Sequence, residues 1–161
     1  MKLGVSMKVD DLAELFRKLG ARDPDVWARS QVDEQLPQLA RFLFLRQAWK
    51  LVISVDDRSW LAENFAELGE PGGDLVPALK RLLATGASEG DLTAVVRVMQ
   101  WRVLSGLCVL LDDPGELEAE VADIGWRLFQ VDENDRPIVP LGGLVESVLE
   151  TDPSGRERRS T

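Results

Sequence analysis

The stretch Thr93–Leu111, TAVVRVMQWRVLSGLCVLL, decides the fold class. At helical spacing it is apolar on nearly every side, as a helix at the centre of a packed domain should be. Yet it carries Arg97, Gln100 and Arg102. A guanidinium stays ionised when buried, so each one needs a carboxylate or several carbonyl oxygens. Such cations either close internal ion pairs or line a place where an anion binds.

Helical spacing sorts them. Thr93, Arg97 and Gln100 form a short polar stripe, whereas Arg102 sits among Val95, Val98 and Val109 with Ser105 and Gly106 beside it. In the upstream segment PQLARFLFLRQAWKLVI (37–53), Arg46, Gln47 and Lys50 share a polar side, and Arg41 shares its side with Leu45, Ala48 and Val52. Arg41 and Arg102 are therefore predicted to be buried. The chain is rich in acids, so the favoured reading is internal pairing with a carboxylate such as Asp33, Glu34 or Asp123. The alternative is an anion-binding set of Arg41, Arg97, Gln100 and Arg102 between core helices.

Outward from this segment the pattern stays helical. Leu12, Leu15, Phe16 and Leu19 lie on one face of a helix that stops at Gly20. Asp23 and Pro24 open the next, as N-cap and first helical residue. Pro37 lacks an amide hydrogen and kinks that helix or begins another. Asp56 or Asp57 caps a helix ending at Gly69, and Glu70–Asp74 (EPGGD) reads as a loop. A short helix with Pro77 in its first turn closes at Gly86, and Ser88 with Asp91 starts the long apolar helix, about 89–111. Strand patterns are nearly absent. The predicted fold is an all-α, single-domain bundle of about six to eight helices over 1–150, with an irregular C-terminal segment and a flexible tail at 151–161. Trp27, Trp49, Trp60 and Trp101 fall in helical patterns and read as core anchors.

Composition narrows the function classes. A chain of 161 residues suits one core and needs no metal or disulfide staple. Histidine is absent, which removes Ser-His-Asp and Cys-His chemistry and every His-bearing zinc site. The lone Cys108 can form no internal disulfide and reads as a packed, unreactive thiol. A net charge of −9 repels phosphate backbones and anionic lipid, so no nucleic acid and no membrane is expected as a direct partner. The first residues lack an export-type apolar region, and no stretch reaches about 18 uninterrupted apolar residues, so the expected location is the cytoplasm. Abundant alanine, glycine, aspartate and arginine suit a GC-rich bacterial source.

The segment 112–135 concentrates Asp112, Asp113, Glu116, Glu118, Glu120, Asp123, Asp132, Glu133 and Asp135 against Arg127 alone. Read as a helix, ELEAEVADIGWRLF puts Leu117, Val121, Ile124 and Leu128 toward a core, with Glu116, Glu120 and Asp123 on a neighbouring flank. Ala119, Ala122, Trp126 and Phe129 then form a third strip, which the segment 138–149 covers or a partner does. For 126–141 a helix and loop, or a hairpin pairing WRLFQV with PIVP, both remain open; the prolines count against the strand.

Weaker motifs carry little. Asp132 and Asn134 begin like a calcium loop, but Arg136 stands where an oxygen ligand is needed and Pro137 where glycine should bend the chain. The paired glycines of LGGLVES lack phosphate-loop spacing. Acid pairs such as Glu63 with Glu67 or Glu116 with Glu120 have no further ligand-bearing partner, and no metal or cofactor is expected.

The reading that these features favour is a non-catalytic, cytoplasmic bacterial protein acting through protein–protein contact, as an immunity, adaptor or regulatory protein does. Its expected contact residues are Glu116, Glu118, Glu120, Asp123, Trp126 and Phe129, offered to a basic protein. The alternatives are a small-anion-binding or enzymatic bundle using the core-helix arginines, and a structural homo-oligomer.

Overall fold

The computed structural model describes residues 7–66 and 73–156. The expected helix end at Gly69, the acid Glu67 and most of the loop 70–74 lie outside the described residues, as do 157–161. The described residues are mostly helical, 55% of them in helices, and a small two-stranded sheet is added to these. The α-helices are α1 (Val9–Lys18), α2 (Pro24–Asp33), α3 (Gln38–Ala48), α4 (Ser59–Ala66), α5 (Leu75–Ala84), α6 (Glu89–Asp112) and α7 (Leu144–Ser147). The strands are β1 (Phe129–Val131) and β2 (Pro137–Pro140). The chain divides into two compact units, one made of 1–49 and 105–161, the other of 50–104.

In the first unit, local signals place the helix ends. Gly20 takes a φ of 88°, a left-handed turn that ends α1 without the penalty a Cβ would bring. Pro24 opens α2 and Pro37 stands immediately before α3. The apolar faces of these helices meet in a cluster of Leu12, Ala13, Phe16, Trp27, Ala28 and Phe42. Phe16 packs on Trp27 and on Phe42 with ring centroids 5.9 and 5.5 Å apart, and Trp27 meets Phe42 at 5.5 Å. The two contacts of Phe42 are edge-to-face, the favoured geometry for ring quadrupoles. Helix α3 is shorter than the predicted 37–53: it ends at Ala48 and tightens into a 3₁₀ turn over Trp49–Leu51. The indole of Trp49 donates to the Val148 carbonyl at 2.8 Å, which fastens the end of α3 to the turn after α7.

Residues 151–156, assigned to the tail from sequence, are held against this unit. Asp152 is fully buried and accepts from the Ser154 amide and hydroxyl, while Arg22 donates to the Pro153 carbonyl at 3.1 Å.

In the second unit, Trp60, Leu61 and Leu79 form a small core with Ile53, Leu92 and Val96 around it. Asp57 accepts from the Ser59 amide at 2.7 Å at the start of α4. The Ser59 side chain and that bond hold the Asp57 carboxyl below its ordinary value. Ser88 and Asp91 close the predicted cap, with the Asp91 amide donating to Ser88 Oγ at 3.0 Å and the Ser88 hydroxyl to the Asp91 carboxylate at 2.7 Å.

The rotation of α6 differs from the sequence reading. Its polar stripe is the shielded one: Thr93 is fully buried and Arg97 is 3% exposed, and the row continues through the buried Leu104 and Cys108. Val95, Met99, Val103 and Leu107 are more than half exposed, and Arg102 among them is exposed rather than buried. By length and composition α6 is apolar enough to cross a membrane, with a mean hydropathy of 1.5 over its best window and 17% of that window buried.

Candidate functional site

The segment 113–128 is not the helix its apolar spacing predicts. Asp113 accepts from the Gly115 amide at 2.9 Å, an Asx turn that takes the chain out of α6 beside Pro114. Beyond it, Glu116, Glu120 and Asp123, spaced i+4 and i+3, would repel one another on a helix, with no basic residue before Arg127 to offset them. Only tight turns form, the Val121 amide bonding to Glu118 and the Ile124 amide to Val121. The strip of Ala119, Ala122, Trp126 and Phe129 is therefore not a helix face, and Leu117, Val121, Ile124 and Leu128 are not a buried stripe: Ile124 is 56% exposed.

The chain then enters a hairpin. β1 pairs with β2 antiparallel, in the register Phe129 with Pro140, Gln130 with Val139 and Val131 with Pro137, which leaves Ile138 as the extra residue of a bulge. The turn is organised by Asp132, whose carboxylate accepts from the amides of Asn134 at 2.8 Å and Arg136 at 3.0 Å. This carboxylate, which resembles the first ligand of a calcium loop in sequence, is spent on the chain's own backbone. The prolines that argue against a strand are tolerated because they sit at positions whose amides face away from β1.

Direct pairing puts Phe129, Val131, Pro137 and Pro140 on one face of the hairpin. Phe129 is 41% and Val131 45% exposed, and both prolines are exposed as well, so this face is apolar and open to water. Gln130 and Val139 on the opposite face are half-buried. Trp126 is 42% exposed but fixed: its indole N–H donates to the Leu110 carbonyl at 2.6 Å, satisfying one of the orphan acceptors at the end of α6. Asp112 accepts from the Val145 amide at 2.9 Å and ties the same helix end to α7.

In the chain that leads to Trp126, Glu116, Glu118, Glu120 and Asp123 are exposed. Among the described residues the ion pairs are those of Arg17 with Glu14 and Asp25 and of Lys18 with Glu14, so the acids of 112–135 are not neutralised by pairing within that set. Sequence reasoning missed Val131 as part of this apolar face, and Ile138, 59% exposed, as a further apolar side chain of the hairpin. The signal was present in PIVP, a β-prone pair between two residues that cannot donate.

Of the four side chains expected to hold an anion, Arg97 and Gln100 share a different task. Arg97 Nη1 donates to the Ile53 carbonyl at 2.8 Å, and Gln100 Oε1 accepts from the Ile53 amide at 2.8 Å. The two side chains thus clamp both backbone groups of one residue in the connection leading to α4. Thr93 accepts from the Trp60 indole at 3.0 Å and donates to the Glu89 carbonyl at 2.8 Å. The polar stripe of this apolar helix is a backbone-holding device, and that accounts for the presence of Arg97 and Gln100.

Arg41 belongs to the other unit and is 7% exposed. The predicted ion pair is not made among the described residues: its closest partner is the Ser147 hydroxyl at 3.5 Å, and its guanidinium lies against Gly143, whose φ of 70° and lack of a Cβ allow the approach. Burial lowers the Arg41 pKa, and the fields of Glu146, Asp112, Glu150 and Glu34 raise it again. A cavity of about 410 Å³ beside Gln38 and Ser147 is lined by Asp23, Glu34 and Glu150, an acidic setting that disfavours an anion. Cys108 is fully buried, and burial, with Asp112 nearby, pushes its thiol up to about 11, away from nucleophilic chemistry. No protein-family model matches the chain, and no curated protein or solved structure matches it.

Proposed function

We propose that the protein is a non-catalytic interaction protein of the cytoplasm that offers the acidic segment 113–140 to a basic protein partner, as a neutralising, adaptor or regulatory protein does. The observation that carries this reading is the pair of half-exposed aromatics, Trp126, fixed by its indole bond, and Phe129, which follow in the chain a run of exposed carboxylates that form no ion pair among the described residues. Rigid aromatic anchors provide contact area at low entropic cost, and surrounding charge speeds encounter with a partner of opposite sign. The absence of histidine from the sequence and the burial of Cys108 support a binding role over nucleophilic catalysis.

The test is capture from the native host followed by association kinetics. The expected partner is a basic protein whose on-rate falls steeply with ionic strength. Reversal of Glu116, Glu120 and Asp123 together to lysine is expected to slow association by at least about tenfold at low salt. Capture and rates unchanged by that triple reversal would reject this surface as the contact.

A further inference from the structure

The two margins of the hairpin are chemically unequal. The Leu141 amide bonds to the Leu128 carbonyl at 2.8 Å and the Asp132 amide to the Arg136 carbonyl at 2.9 Å. In an antiparallel ladder these exchanges alternate, so the N–H and C=O groups of Phe129 and Val131, between those positions, point to the far side of β1. Among the described residues the sheet ends there, since it contains β1 and β2 only. On β2 the corresponding outward positions are the partners of Phe129 and Val131, which are Pro140 and Pro137. Neither has an N–H to offer. The margin of β2 is therefore closed to a further strand, whereas that of β1 presents two donors and two acceptors in register.

We propose that the outer edge of β1, Phe129–Val131, takes up an extended basic segment of a partner protein as a third strand. The inference rests on the proposed function and specifies how the partner is held. An extended segment added to a sheet edge gains affinity from main-chain hydrogen bonds and specificity from alternate side chains. Here one side of the added strand would lie along Phe129 and Val131, so apolar residues belong there. At the end of β1 it would meet Asp132 and Glu133, the next residues of the chain, so lysine or arginine belongs there. Charge also decides against a second copy as the occupant, because a chain of net charge −9 would bring like-charged hairpins together.

The test uses the full chain, isotope-labelled, and a capped heptapeptide of alternating lysine and valine, beside the same peptide N-methylated at every amide. The methylated form keeps charge and side chains and loses all its main-chain donors. At low salt the plain peptide is expected to shift the amide resonances of Phe129 and Val131. The methylated peptide should bind at least about tenfold more weakly, the loss expected for one or two hydrogen bonds. Val131→Pro, which removes an outward amide that the hairpin ladder does not use, should weaken the plain peptide similarly. Equal binding of both peptides would overturn strand addition and leave the acidic-surface reading standing. No binding of either would overturn strand addition and count against the basic partner as well. A dimer of the protein itself that Val131→Pro converts to monomer would replace the basic segment by a second copy and overturn the proposal.

Discussion

Phe16, Trp27 and Phe42 on one side, and Trp126 and Phe129 on the other, are the same kinds of ring put to opposite uses. The first three bury their faces against one another, with Phe16 wholly shielded and Trp27 and Phe42 nearly so. The second two keep roughly two-fifths of their surface in water. Trp126 is pinned by its one polar atom, and the backbone of Phe129 is placed by the ladder bond of its neighbour Leu128. The difference lies in what fixes each ring. A core aromatic is positioned by its neighbours' surfaces and returns stability; a ring held by its backbone or by a single hydrogen bond leaves its face for something else.

Substitutions should separate the two groups. Phe16→Ala removes the ring common to two of the three aromatic contacts and is expected to destabilise the fold by about 3–5 kcal/mol, read as a fall in the denaturant midpoint with little change in slope. Trp126→Phe keeps an aromatic face and deletes only the indole donor, so about 1 kcal/mol should be lost as the Leu110 carbonyl gives up its partner. Phe129→Ser should change stability by no more than about 0.5 kcal/mol while abolishing capture of the basic partner. A loss for Phe129→Ser comparable to that for Phe16→Ala would erase the contrast and make the hairpin ring a structural one.

Helix boundaries in this chain were legible because their causes are local. Gly20 and Gly86, at φ of 88° and 90°, Pro24, and the reciprocal bonds of Ser88 and Asp91 each act within a few residues of where they stand. The rotation of α6 was not legible, because distant groups set it. The backbone of Ile53 and the indole of Trp60 require a donor and acceptors, and Arg97, Gln100 and Thr93 turn inward to supply them, carrying Val95, Met99 and Val103 outward. The burial of Arg41 was legible from its helical neighbours; its partner was not, since a serine 106 residues away stands where a carboxylate was expected. Over 116–129 the apolar spacing suggested a helix, and the run of carboxylates, with Gly125 among them, outweighed it.

Proline placement in the hairpin also bears on how far any association through it can extend. A sheet grows into a filament only when each added unit leaves a usable margin at both ends. With Pro137 and Pro140 at the outward positions of β2, stacking of copies edge to edge terminates after a single junction. Complexes formed here should accordingly have fixed, small stoichiometry, and the exposed apolar face of the hairpin can be kept without fibrillar polymerisation.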